Sequence, residues 1–143
     1  MELLTFGHER SDCVEVSVLG YNYPGASDTW DANWLNVGIR VKSGAFEGRF
    51  PASFQTTDLL DLAKGLTRLY GSLKGAAKFR TLEDQLSLDF EVDSLGQIHV
   101  RGLARDMAGI GNSLTFGMSF DQTLLQNSLE QLACLTRAYP YRG

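Results

Sequence analysis

The 143-residue sequence is poor in the residues that most often carry chemistry. It holds two cysteines and two histidines. Cys13 and Cys134 have no local partner, which argues against a disulfide framework and a zinc pattern; both are expected as reduced thiols. His8 and His99 have no cysteine or carboxylate at ligand spacing, and His99 falls on the outer side of a predicted strand. No metal and no cofactor is expected. Long apolar runs are absent too. The longest uncharged stretch, Met107 to Phe120, is too short and too interrupted to span a bilayer. Glu2, His8, Glu9 and Arg10 break any apolar signal-peptide core. The expected address is the cytoplasm, with no membrane partner. Basic runs are also missing. Nine of the thirteen basic residues are arginines, scattered from Arg10 to Arg142, and the net charge is −4. A nucleic-acid binder gathers positive charge on one face, so nucleic acid is not the expected partner.

Catalytic signatures fail in the same way. There is no GxSxG elbow, and Cys134 sits in a helical pattern with no histidine near it in sequence. Gly109-Ile110-Gly111 precedes a strand, not the helix N-terminus that a phosphate loop needs. Asp28, Asp31 and Asn33 lack the glycine and bidentate glutamate of a calcium loop; Asp31 and Asn33 are expected to hydrogen-bond to their own turn. No catalytic residue is identified, and the chain is not expected to be an enzyme.

What is present describes a globular protein. Apolar residues make up 43% and charged residues 21%, and the length suits a single domain over residues 1–143 with a core of its own. Fifteen glycines indicate many turns. Alternation of apolar and polar residues predicts strands at Leu3–Gly7, Cys13–Leu19, Trp34–Val41, Ala45–Phe54, Lys78–Leu82, 86–92, Gln97–Leu103 and 114–120. Phe50 and Phe116 fall on the inner faces. Pro51 cannot donate to a ladder, which points to an edge or a frayed strand end. Leu59, Leu62, Leu66, Leu69 and Leu73 recur at helical spacing after Thr56-Thr57-Asp58, where a threonine oxygen is the expected cap. Gly71 or Gly75 is the expected stop. A second helix follows Asp121 and stops at Pro140. The expected fold is α+β: an antiparallel β-sheet of about six to eight strands with two α-helices packed on one face, in the order strands, helix, strands, helix. Ser53-Phe54-Gln55-Thr56 echoes Ser119-Phe120-Asp121-Gln122, and Leu66-Thr67-Arg68 echoes Leu135-Thr136-Arg137. Duplication of a strands-then-helix unit and two independent solutions to one capping problem both account for this.

The chain is organised around Tyr21 to Val41. Both tryptophans and two of the five tyrosines lie in it. Residues 26–33 read as a loop between two strands. Tyr23, Asp28, Trp30 and Asp31 are the candidate contacts of a protein-binding surface, because exposed Trp and Tyr supply interface anchors. For Trp34, and for Trp30, burial in the core is the competing reading. Asp89 and Glu91 share the outer side of one strand and form a second acidic patch. Paired carboxylates on such a face are usually solvated.

Two further sets of residues carry a family resemblance. The first is Asp31-x-Asn33-Trp34-Leu35-x-Val37, Gly44-x-Phe46-x-Gly48-x-Phe50 and Thr57-Asp58-Leu59. The second is Gly96-x-Ile98-x-Val100-x-Gly102, Leu114-x-Phe116, Phe120-Asp121-Gln122-Thr123-x-Leu125 and Tyr139-Pro140. Over residues 13–140 this pattern resembles the bacterial WapI-like immunity proteins. The resemblance implies a cytoplasmic antitoxin that protects against the C-terminal nuclease domain of a large toxin. It carries over no catalytic or toxin-contacting residue. A net charge of −4 suits steering toward a basic nuclease cleft. The alternative is a non-enzymatic binding or assembly module with an unrelated partner, such as a homodimer joined through a sheet edge.

Overall fold

Alternation of apolar and polar residues builds eight strands in the computed structural model, which describes residues 2–143. Strands β1 (Glu2–Gly7), β2 (Cys13–Tyr21), β3 (Trp34–Ser43) and β4 (Phe46–Gln55) form one antiparallel sheet in that order. Strands β5 (Ala76–Phe79), β6 (Leu86–Val92), β7 (Gln97–Arg105) and β8 (Ser113–Asp121) form a second. Helices α2 (Thr56–Ser72) and α3 (Gln122–Ala138) follow the two sheets, and a single turn, α1 (Thr29–Ala32), interrupts the loop between β2 and β3. The fold is α+β in the predicted order. Its strands are divided between two sheets, four before α2 and four after it.

Several local expectations shift. The N-cap of α2 is Gln55, not a threonine. Asp58 reaches back to accept the Gln55 N–H at 2.8 Å, and the Thr56 hydroxyl is spent elsewhere, as described below. Leu73, in the left-handed conformation at φ 52°, closes α2 in place of a glycine. Strand β5 ends at Phe79, three residues short of the expected Leu82. Pro51 does lie in an edge strand, β4, opposite Gly38.

The inner faces of both sheets and the apolar stripes of both helices share one core. Phe6 meets Phe90 edge-on at 5.0 Å between ring centroids, and Phe54 meets Phe79 at 5.1 Å. Both aromatic contacts join one sheet to the other. Phe116 is buried in this core, while Phe50 is only partly so.

The two halves are wound into each other. Each helix lies along the edge strand of the sheet built by the other half, α2 on β5 and α3 on β1. Covering an edge strand protects its unpaired backbone groups. The Thr5 N–H donates to Gln131 Oε1 at 2.7 Å, and the Ser128 hydroxyl donates to the Thr5 carbonyl. The two remaining edges also receive cross-sheet bonds. Gln85 Nε2 donates to Pro51 O on β4 at 3.2 Å, and Ser43 Oγ donates to Gly117 O on β8 at 2.8 Å. The first sequence echo sits at corresponding places, spanning the strand–helix junctions capped by Gln55 and Asp121. The second echo does not. Counted from the N-caps, Leu66 corresponds to Leu132, and Leu135 to Leu69; all four are buried.

Candidate functional site

The loop from Tyr21 to Asn33 is held by local and distant bonds together. Asp28 is the N-cap of α1, and its carboxylate accepts the Trp30 N–H at 2.7 Å. Asp28, not Asp31, therefore supplies the turn's own carboxylate cap. The Asp31 side chain takes part in no ion pair or hydrogen bond among the described residues.

Asn33 is 1% exposed and uses its whole amide. Nδ2 donates to Thr29 O and to Arg142 O, each at 2.8 Å. Oδ1 accepts from Thr56 Oγ1 at 2.9 Å and from the Arg142 N–H at 2.8 Å. Two donors and two acceptors exhaust the capacity of an asparagine side chain. The expected bond to its own turn is there, but the other three join the loop to α2 and to residue 142.

Arg142 completes the clamp. Its guanidinium donates to Ala32 O at 2.9 Å, Pro24 O at 3.0 Å and Tyr23 O at 3.2 Å. The same group lies 3.8 Å above the Tyr21 ring. Tyr21 in turn donates its hydroxyl to Pro140 O at 2.9 Å and packs edge-on against Tyr139. Burial pushes the Tyr21 phenol above its ordinary pKa, with Arg142 opposing. Residues 139–142 thus strap the loop down. Nothing in their composition signalled it; the one available hint was an arginine among aromatic residues just past Pro140.

Three aromatic side chains of the loop and the strap face solvent. Trp30 is 56% exposed, Tyr23 53% and Tyr141 51%. Trp34 is buried at the start of β3 and supports Trp30 edge-on, with ring centroids 5.6 Å apart. The structure therefore gathers Tyr23, Asp28, Trp30 and Asp31 on one short loop, with Asp28 in a structural role. Tyr141 is a neighbour that sequence reasoning missed.

Asp89 and Glu91 lie elsewhere, on the outer face of β6 in the other sheet. Asp89 pairs with Arg80 at 2.8 Å. Nearby, His99 Nε2 stands 2.8 Å from Asp93 Oδ2, and its Nδ1 2.7 Å from Ser119 Oγ. His99 is half-exposed, as expected from its strand side. The chain of bonds ties the β6–β7 turn to β8. His99, with the Gln97 and Leu95 N–H groups, holds the Asp93 carboxyl below the usual carboxylate range. A depressed pKa adds stability that is present above the unfolded value near 4 and lost as pH falls through the folded one. Wild type is expected to exceed Asp93→Asn in chemical denaturation near neutral pH, with the gap closing as pH falls below the usual carboxylate range. A gap that widens on acidification would contradict this reading.

Among the described residues, no three His, Cys, Asp or Glu side chains stand together as a metal site. Cys13 and Cys134 are both free thiols. No described helix is long and apolar enough to cross a membrane.

The Immunity protein WapI-like family model matches residues 5–140. No curated protein sequence matches the chain. Among solved structures, the crystal structures of Trypanosoma bruciei MRP1/MRP2 are similar over 97% of this chain and 88% of that chain, at TM-score 0.49 and 9% sequence identity. At that level of likeness nothing is carried over to this chain.

Proposed function

This chain belongs to the WapI-like immunity protein family, and from that premise we propose that it neutralises a nuclease-type toxin by direct, stoichiometric binding in the cytoplasm. It acts by occupying the toxin and performs no catalysis of its own. The contact surface is the strapped loop, with Trp30 and Tyr23 as anchors and Asp31 as the free acidic group. The observation that carries this reading is Trp30. A tryptophan that is 56% exposed on a backbone fixed by Asn33 and Arg142 offers large contact area at small ordering cost. Pre-organisation matters because ordering a loop on binding consumes interface energy. The charge of Arg142 is absorbed by three carbonyl oxygens and a tyrosine ring, so the loop presents Asp31 without a competing free cation from that residue. An acidic, aromatic face suits the basic cleft that a nuclease uses for its own substrate.

The test uses the C-terminal nuclease domain of a candidate large toxin from the same host. Titration calorimetry is expected to give a 1:1 complex, and equimolar protein is expected to stop nuclease activity. Trp30→Ala is expected to weaken binding by roughly 30-fold or more, the size of an interface hot spot, and Asp31→Ala by about 10-fold. Full inhibition by both variants at unchanged affinity would remove the loop as the contact. No inhibition by the wild-type protein would remove the nuclease assignment.

A further inference from the structure

The two interwound halves differ at a place where their correspondence predicts sameness. In one half, Gln131 and Ser128 of α3 hydrogen-bond to Thr5 on the edge strand β1. At the same distances from its own N-cap, α2 carries Gly65 and Leu62. No α2 side chain hydrogen-bonds to β5 among the described residues. Gly65 rides directly over Ala77: a Cβ built on it would lie 3.5 Å from the Ala77 Cβ, in ordinary contact.

The missing side chain leaves an open groove of about 510 Å3 between α2 and the outer face of the second sheet. Small residues make the floor, Gly65 with Ala76 and Ala77. Cations make the rim: Lys64 and Arg68 from α2, Lys78 from β5 and Arg101 from β7. None of these four is in an ion pair among the described residues. Arg80, from outside the lining, pairs with Asp89 at the groove wall. Four of the thirteen basic residues thus line the groove with three of the seventeen acidic ones, Asp61, Asp89 and Glu91, of which Asp89 is paired with Arg80. In a chain of net charge −4 this is a locally positive concave face.

We propose that this groove binds an extended acidic segment of a protein partner, its backbone on the small-residue floor and its carboxylates on the rim. Guanidinium and ammonium groups bind carboxylates through charge-assisted hydrogen bonds, and unpaired rim cations have no internal bond to give up. Asp61 and Glu91 lie among the cations. They repel a dense polyanion such as a phosphate backbone, but they leave room for carboxylates spaced along an extended chain. The site is distinct from the Trp30 loop and stands or falls without it.

Fluorescence anisotropy with a labelled peptide of alternating glutamate and threonine tests the site. Saturable binding at low salt is expected, weakening as ionic strength rises because the rim is exposed. The double variant Lys78→Glu with Arg101→Glu is expected to lose at least about 10-fold in affinity. Gly65→Gln puts into α2 the residue that α3 carries at the same place, and is expected to do the same by filling the floor. Its thermal unfolding and circular dichroism check that the fold is kept. Trp30→Ala is expected to leave the peptide affinity unchanged, which separates this site from the toxin contact. Absence of saturable binding, equal affinity in Gly65→Gln, or tighter binding of an oligothymidylate of matched charge would each overturn the proposal.

Discussion

Replacing Asn33 with leucine, of similar size but without the amide, is expected to cost about 3 kcal/mol of folding stability. The side chain is buried and every polar atom on it is used. Leucine would leave Thr29 O, Arg142 O, the Arg142 N–H and the Thr56 hydroxyl without their partner. A buried polar group without a partner costs about 1–3 kcal/mol, and water entering the opened site recovers only part of that over four groups. Thr56→Val removes one of the four bonds and is expected to cost about 1 kcal/mol. Urea denaturation measures both. The tryptophan near-ultraviolet dichroism should also fall in the leucine variant, since Trp30 and Trp34 flank the site and pack on each other. A loss below about 1 kcal/mol for Asn33→Leu would mean that the clamp on residues 139–142 does not hold the loop. The functional consequence follows. On the proposed contact, a loosened loop presents Trp30 from an ensemble, so toxin affinity is expected to fall although no proposed contact residue has changed.

Gly102→Val is expected to be at least as damaging, by about 3 kcal/mol or more. Gly102 lies on β7 directly opposite Phe116 on β8, and the phenylalanine ring lies across it. A Cβ on Gly102 would stand 2.2 Å from Cζ of that ring and 2.6 Å from two more ring carbons. Phe116 is buried, so the ring cannot swing away without opening a void in the core. A double-mutant cycle gives the sharper test. Phe116→Ala alone is expected to cost about 3–5 kcal/mol through the cavity it leaves. Combined with Gly102→Val, the total should fall short of the sum by about 1–3 kcal/mol, because the valine then fills space that the ring has vacated. Strict additivity would show that ring and glycine do not share that space.

Much of the local structure was legible from sequence. Period-two runs such as Leu35, Val37, Ile39 and Val41 identified β3 and its buried face, and all four residues are in the core. The helical recurrence of Leu59, Leu62, Leu66 and Leu69 identified α2 and its buried stripe. Asp121 was readable as the cap of α3, where its carboxylate accepts the Thr123 N–H at 2.9 Å. Each of these depends on residues close in sequence, where a side chain's chemistry and the chain's own periodicity settle the outcome. Trp34 was open between core and surface, and its place at the first residue of β3 buried it.

The rest was decided by contacts across long stretches of chain. Alternation states which face of a strand is buried but not where one sheet ends and another begins, because inter-sheet packing joins residues as far apart as Phe6 and Phe90. It cannot show that α3 lies on β1, since Gln131 and Ser128 meet Thr5 only once the distant halves have packed together. It left Asn33 as an ordinary turn residue, when three of its four bonds run to Thr56 and Arg142. Nor does it distinguish Gly65 from Gln131 as groove and filler, because that contrast exists only once two helices stand in corresponding places. Sequence by itself determined the elements and their buried faces, which local chemistry governs. Tertiary structure alone decided the strapped loop and the cationic groove, because each is assembled from groups that meet only after the two halves have wound together.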